Sequence, residues 1–146
     1  MSDELKIVNE ILSNLVNKTN IKQVMLVDHN GLPIASWDKE TGKLESELEN
    51  KISALAASVY LLSEKTSNIF NQGQMQQMLI QNEKGKILIT NINDQSLMIA
   101  ILGAKSPITL TNIEIKKASK KLRTLELLNK TIEQPDTSDI FVPSID

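Results

Sequence analysis

The sequence predicts an α/β domain of the layered α+β type, with one five-stranded, mostly antiparallel sheet between helix layers. Three segments carry apolar residues at three- and four-residue steps, which is typical of amphipathic helices. Five short apolar runs bounded by turn residues have the length of strands. Two of these runs are apolar almost throughout, which indicates strands covered on both faces. The order α-β-β-α-β-β-β-α supplies helices to cover them.

The first helix is expected over roughly residues 3–17, and a hairpin of strands at about 23–28 and 32–37 follows it. The turn between them reads Asp28-His29-Asn30-Gly31, and these residue types favour a tight turn with positive φ at the glycine. His29, the single histidine, is expected at the tip in water. No local motif places a serine or cysteine nucleophile beside Asp28 and His29. A single histidine without further ligand residues does not predict a metal site. The turn interpretation is therefore favoured over a catalytic one. The first helix carries a stripe of Leu5, Val8, Leu12, Leu15 and Val16.

A long second helix is expected from about residue 45 to 71, ending near a C-terminal cap at Gly73. A stripe of large apolar residues is expected to pack on the sheet, and a patch of small residues lies opposite. This patch either lets a second helix approach closely or reflects the helix propensity of alanine alone. The stripe comprises Leu48, Ile52, Leu55, Val59, Leu62, Thr66 and Ile69. The patch comprises Ala54, Ala57, Tyr60 and Leu61, flanked by Asn50, Glu64 and Asn68.

Three runs at residues 74–82, 86–92 and 96–102 are joined by short turns and predict an antiparallel meander. The first of them contains no Lys, Glu, Asp or Pro, the residues that usually block edge pairing. At a sheet edge this strand would be open to pairing with a strand of another chain. In the sheet interior its glutamines would instead form hydrogen bonds with other side chains. A last helix is expected to start at Thr111, which forms a capping box with Glu114.

Composition argues for a non-enzymatic cytoplasmic domain without cofactor, metal or nucleic acid. The chain has 146 residues, a net charge of -2 and no cysteine, which excludes thiolate and cysteine-zinc chemistry. No apolar stretch approaches the roughly 20 residues of a membrane span, so no membrane insertion is expected. We expect residues 1–130 to form the domain and 131–146 a flexible tail. The last helix has a basic face of Lys116, Lys117, Lys120 and Lys121. This face is either solvated or attracts an acidic partner or the acidic tail.

The segment "VMLVDHNGLPIAS" resembles the first hairpin of the Roadblock (dynein light chain roadblock-type) family, with its Asp-x-x-Gly turn and hydrophobic-Pro-hydrophobic-Ala-Ser strand. The long helix with Ala56 and Ala57, "QMLIQNEKGKILITNINDQSLMIAIL" and "TNIEIKKASKKL" resemble the elements that follow in that family. The resemblance spans roughly residues 3–128 and implies a profilin-like fold. It also implies that two copies pair through the strand near residues 74–82 and cross their long helices.

Two hypotheses about function follow from the resemblance. The first is a prokaryotic-like homodimeric platform that binds and regulates a small Ras-like GTPase, without an arginine finger because the single arginine, Arg123, lies inside the last helix. The alternative is a scaffold that forms heterodimers with another Roadblock-type domain and does not stimulate a GTPase. A third hypothesis, a small-molecule sensor or enzyme built on a profilin-like sheet, is disfavoured because the sequence shows no cluster of polar residues that would form a binding or catalytic site. The implied dimer interface comprises Ala54, Ala57, Leu61, Met75, Gln77, Leu79 and Ile80. The implied partner-binding residues are Asn50, Tyr60, Glu64 and Asn68.

Overall fold

A computed structural model describes residues 3–125 of the chain. Its elements follow the predicted order, and all strand pairs are antiparallel. The segment 131–146, predicted to be a flexible tail, lies outside the described residues. The elements are α1 (Asp3–Lys18), β1 (Ile21–Asp28), β2 (Pro33–Asp38), α2 (Ser46–Ile69), β3 (Gln77–Gln81), β4 (Gly85–Asn91), β5 (Ser96–Gly103) and α3 (Ile108–Arg123).

The five strands form one sheet in the order β2-β1-β5-β4-β3. The strand predicted near residues 74–82 therefore lies at an edge, and the interior alternative is excluded. Within β3 there is no charged residue and no proline. An edge of this kind offers backbone N–H and C=O groups to another strand.

Helices cover both faces of the sheet, as predicted. On one face, α1 and α3 enclose a core with Leu12, Leu26, Met98 and Leu122 among its fully buried side chains. On the other face, α2 lies chiefly across β1 and β2 over a second, smaller core. The central strand β5 is buried from Ser96 to Ala100, because it contacts both cores.

The predicted inner stripe of α2 is confirmed for Ile52 and Val59, which are partly buried against the second core, and is wrong for its other members, which are exposed. Leu55 is 68% exposed and Leu62 is 67% exposed, and Leu48 and Ile69 on the same side are exposed as well. The helix instead turns small and polar residues to the sheet, and their side chains allow a close approach. Ser53 and Ser63 are buried there because each hydroxyl donates to a carbonyl of its own helix, at 2.7 and 2.8 Å.

Two helix ends also differ from the prediction. The helix α3 begins at Ile108, and the Thr111 N–H donates to the Pro107 carbonyl at 3.2 Å, so Thr111 is inside the helix and forms no capping box. At the end of α2, Asn71 rather than Gly73 takes the left-handed cap position, with φ at 55°. The Gln72 N–H then reaches the Ser67 carbonyl at 2.8 Å, which is the Schellman pattern.

Candidate interaction surface

The side of α2 that faces away from the sheet carries a row of large apolar residues spaced seven positions apart. Seven residues make nearly two helical turns, so the row stays on one side along the whole helix. Within residues 3–125 its side chains stay exposed, from 39% at Leu48 to 77% at Ile69. We call this set, Leu48, Leu55, Leu62 and Ile69, the apolar row.

The opposite flank of α2 faces the turn between β1 and β2. A Cβ placed on Gly31 would lie 3.4 Å from the Ala57 Cβ, and φ at Gly31 is 94°, so the glycine permits both the turn and the close approach. Ala57 is half-buried by this contact, whereas Ala54 and Leu61 beside it are exposed. We call Asn50, Ala54, Leu61 and Asn68, all exposed, the small-residue flank.

His29 joins the β1–β2 turn to α2 and β4. Its imidazole stacks on Tyr60, with ring centroids 4.1 Å apart and planes inclined by 29°. Its Nε2 lies 3.1 Å from Asn91 Oδ1, and its backbone N–H donates to the Gln95 carbonyl at 2.8 Å. The expectation that His29 projects into water is therefore wrong. Burial raises the pKa of Tyr60, which was predicted to bind a partner and is half-buried in this stack.

Asp28 confirms the turn interpretation. Its Oδ1 accepts the backbone N–H groups of Asn30 and Leu32, each at 2.9 Å. These bonds close the turn, and the imidazole of His29 pairs with Asn91 instead of with this carboxylate. The arrangement stabilises a hairpin and does not set up an acid–base pair.

Glu64 and Met75 connect the end of α2 to the edge strand. The Met75 N–H donates to Glu64 Oε2 at 2.7 Å, and the Met75 side chain is buried in the core beneath α2. The open edge therefore begins at Gln77, and Met75 is not part of it. Glu64, predicted to bind a partner, holds this connection in place.

The open edge of β3 has one outward apolar residue. Leu79 is 41% exposed, and Ile80 is half-buried against the α2-side core. Gln77 is held on the other face, where its Nε2 donates to Thr90 Oγ1 at 3.1 Å and to Asn112 Oδ1 at 2.6 Å. The edge and the apolar row thus provide apolar surface at two places outside the core.

The apolar row was predicted to pack on the sheet and was not among the predicted interface residues, so its role as an outer surface was missed. The seven-residue spacing of the apolar row was visible, as were the serines that replace large residues on the sheet side of α2. The contacts of His29 and Glu64 could not be predicted from the neighbouring sequence, because their partners come from other segments of the chain. Among the described residues, no three His, Cys, Asp or Glu side chains are grouped to hold a metal ion. No described helix combines the length and apolar composition that crossing a bilayer requires.

Comparison with known proteins gives the same fold. The sequence profile of the Roadblock/LC7 domain matches residues 7–102. The uncharacterized protein MJ1340 of Methanocaldococcus jannaschii is 27% identical over 118 residues, covering 81% of this chain and 98% of that protein. MglB of Myxococcus xanthus superposes with a TM-score of 0.77 at 19% identity, covering 93% of this chain and 98% of MglB. An MglB structure described as having a tetrameric arrangement superposes with a TM-score of 0.79 at 14% identity, covering 90% and 95% of the two chains.

Proposed function

The chain belongs to the Roadblock/LC7 domain family, and from that premise we propose that two copies pair into a platform that binds a small Ras-like GTPase. Roadblock domains are generally non-enzymatic interaction modules. The observation that carries the proposal is the apolar row of α2 together with the uncharged edge of β3. Both are surfaces that a single copy leaves in water.

Pairing through β3 extends the sheet across both copies and uses the backbone groups of the edge. Leu79 then lies in the interface. Val59 and Ile52, beside the apolar row, contact the same core as Ile80. We infer that the row and the inner face of β3 border one apolar surface. A second α2 packed there buries both rows at once. The tetrameric arrangement of one MglB structure supports self-association on this fold.

The small-residue flank is the surface we assign to the GTPase. Ala54 and Leu61 directly precede Leu55 and Leu62, so this flank is turned about 100° around the helix from the apolar row. We therefore expect it to stay accessible when two copies pair. Ala54 and Leu61, predicted for the dimer interface, belong to this flank together with Asn50 and Asn68. Tyr60 and Glu64 support it from below through their contacts with His29 and Met75.

Any stimulation of GTP hydrolysis acts without an arginine finger from this chain. Arg123 lies in α3 on the sheet face opposite α2, and its Nη1 donates to the Ile92 carbonyl at 3.3 Å. It cannot reach a GTPase seated on the small-residue flank. The platform therefore acts by positioning the catalytic residues of the GTPase itself.

Light scattering of the pure protein tests pairing. We expect the mass of two chains for the wild type and of one chain for Leu55→Glu and Leu79→Lys. The control is Leu110→Glu, because Leu110 is equally exposed at 65% but lies on α3. It is expected to keep the dimer. A wild type with the mass of one chain at micromolar concentration contradicts the proposal.

Co-elution with a small Ras-like GTPase, loaded with GDP or with a non-hydrolysable GTP analogue, tests the partner. We expect binding that depends on the nucleotide and is lost in Leu61→Glu while the dimer persists. Arg123→Ala is expected to bind and stimulate as the wild type does. Absence of nucleotide-dependent binding, with heterodimers formed by a second Roadblock domain, favours the scaffold instead.

A further inference from the structure

A polar groove of about 580 Å³ lies between α3 and the strands β3 and β4, on the sheet face opposite α2. Every residue that lines it is polar, and none is acidic. Three of them, Lys116, Lys120 and Arg123, project from α3, while Gln77 and Thr90 form the strand wall. Its volume falls within the range of small-molecule sites.

The positive charge of the groove is not neutralised by its neighbours. Lys117 pairs with Glu114 at 3.3 Å, but Lys116, Lys120 and Arg123 form no ion pair within residues 3–125. Cations in the last turn of a helix offset its dipole, which accounts for Lys120 and Arg123. It does not account for Lys116, one turn earlier.

Ser119 supplies an independent sign of a ligand. It lines the groove, is 2% exposed, and is the one buried side chain of residues 3–125 whose polar atom, Oγ, has no hydrogen-bond partner. The other buried serines of the helices, Ser53 and Ser63, donate to their own helix. An unpaired buried hydroxyl is costly, and an acceptor atom of a ligand would remove that cost.

We propose that this groove binds a small molecule bearing phosphate groups. A multivalent oxyanion matches three cations that have no ion-pair partner within residues 3–125, whereas a single carboxylate would leave charge unbalanced. Arg123 keeps one N–H on the Ile92 carbonyl and has further donors for the ligand. The Ser119 hydroxyl donates to one of its oxygens. The lining holds no aromatic or aliphatic side chain on which a nucleobase could stack, so the phosphate groups themselves are recognised. The site is separate from the GTPase surface on α2.

Calorimetric titration with pyrophosphate tests the site on the full chain, at about 150 mM salt so that screening removes weak surface binding. We expect one site per chain. Lys116→Gln combined with Lys120→Gln should weaken binding by about tenfold or more, and Ser119→Ala by about tenfold. Because Ser119 Oγ is unpartnered, Ser119→Ala without ligand should melt at the wild-type temperature or above it. Absence of binding, or a wild-type affinity in Ser119→Ala, overturns the proposal.

A second groove provides the matched control. It measures about 590 Å³ and contains Lys22 and Lys39, but also Asp38 and Glu40. Lys22→Gln combined with Lys39→Gln removes the same charge and is expected to leave the affinity for pyrophosphate unchanged. Equal weakening by both double variants means non-specific attraction and overturns the site.

The acidic residues Glu133, Asp136 and Asp139 are the other candidate occupant, and the titration separates them from a phosphate ligand. A variant with all three changed to the corresponding amides should bind pyrophosphate as the wild type does. If pyrophosphate binds only in that variant, the groove belongs to the chain's own acidic segment and the proposal fails.

Discussion

The Glu49 carboxylate and the Ser36 hydroxyl join α2 to the edge strand β2 through a buried hydrogen bond of 2.5 Å. Ser36 Oγ in turn accepts the Leu44 N–H at 3.1 Å, just before the helix begins. A carboxylate at this position is tolerated because it is bonded. The bond also fixes which side of α2 meets the sheet, and so which side presents the apolar row.

Ser36→Ala should therefore lower the free energy of unfolding by about 1–3 kcal/mol, since it leaves both the Glu49 carboxylate and the Leu44 N–H without their partner. Urea unfolding measures the loss. The control is Glu47→Gln, because Glu47 pairs with Lys51 on the exposed side of the same helix. It should change stability by less than about 0.5 kcal/mol. Equal effects of the two variants would show that Ser36 does not anchor the helix.

Gly85 and Gly103 face each other across β4 and β5, yet a side chain should be tolerated at only one of them. A Cβ on Gly85 would lie 2.6 Å from the Leu102 carbonyl oxygen, whereas one on Gly103 would meet the flexible end of Lys22 at 3.7 Å. We expect Gly85→Ala to cost about 1–3 kcal/mol. Gly103→Ala should be neutral or stabilising by about 0.5 kcal/mol, because alanine restricts the unfolded chain. Urea midpoints compare them, and a reversed order contradicts the close approach of the strands.

The order of elements was predictable because it depends on local signals. Short apolar runs of strand length, the Asp28–Gly31 turn and the three periodic segments each report on a few neighbouring residues. The edge position of β3 was anticipated only as one of two alternatives, since strand order depends on pairings between distant segments. The start of α3 was placed too late, because Pro107 rather than Thr111 precedes the first turn.

The orientation of α2 could not be deduced from its amphipathic pattern. Periodicity identifies the apolar side of a helix. In a domain that buries apolar residues only in its own core, that side faces the sheet. Here Ser53 and Ser63 allow the opposite choice, because they satisfy their hydroxyls within the helix and let it lie close to β1. The large residues at Leu55 and Leu62 are left for another surface. The sequence pattern alone leaves the orientation of α2 ambiguous, because the bond from Ser36 of β2 to Glu49 cannot be read from the helix itself.

Tyr60 is the only tyrosine of the chain, so its ionisation can be followed directly by absorbance near 295 nm. Burial raises its pKa in the folded state above the ordinary value of 10.0. We expect the folded protein to form tyrosinate at higher pH than the urea-unfolded chain. The raised pKa means that the folded state favours the neutral phenol. The resulting contribution to the free energy of unfolding is fully present below pH 10 and is lost as pH rises through the folded pKa.

Replacing Tyr60 gives the matched stability measurement. Tyr60→Phe keeps the ring against His29 but has no titrating group, so it should lose less stability than the wild type as pH rises above about 10. The lysines titrate in both proteins and cancel in the comparison. Coincident tyrosinate curves for folded and unfolded wild type would contradict the buried stack.

A leucine-to-glutamate substitution should disrupt pairing on the apolar row of α2 but not on the small-residue flank. If the apolar row pairs two copies, the melting temperature of the wild type rises with protein concentration, because association stabilises only the folded chain. Leu62→Glu should abolish that dependence. Leu61→Glu alters the neighbouring residue, also exposed at 56% against 67% for Leu62, and should keep it. Scanning calorimetry over a hundredfold range of concentration measures both. Loss of the dependence in Leu61→Glu, with its retention in Leu62→Glu, would place the dimer on the small-residue flank and the GTPase surface elsewhere.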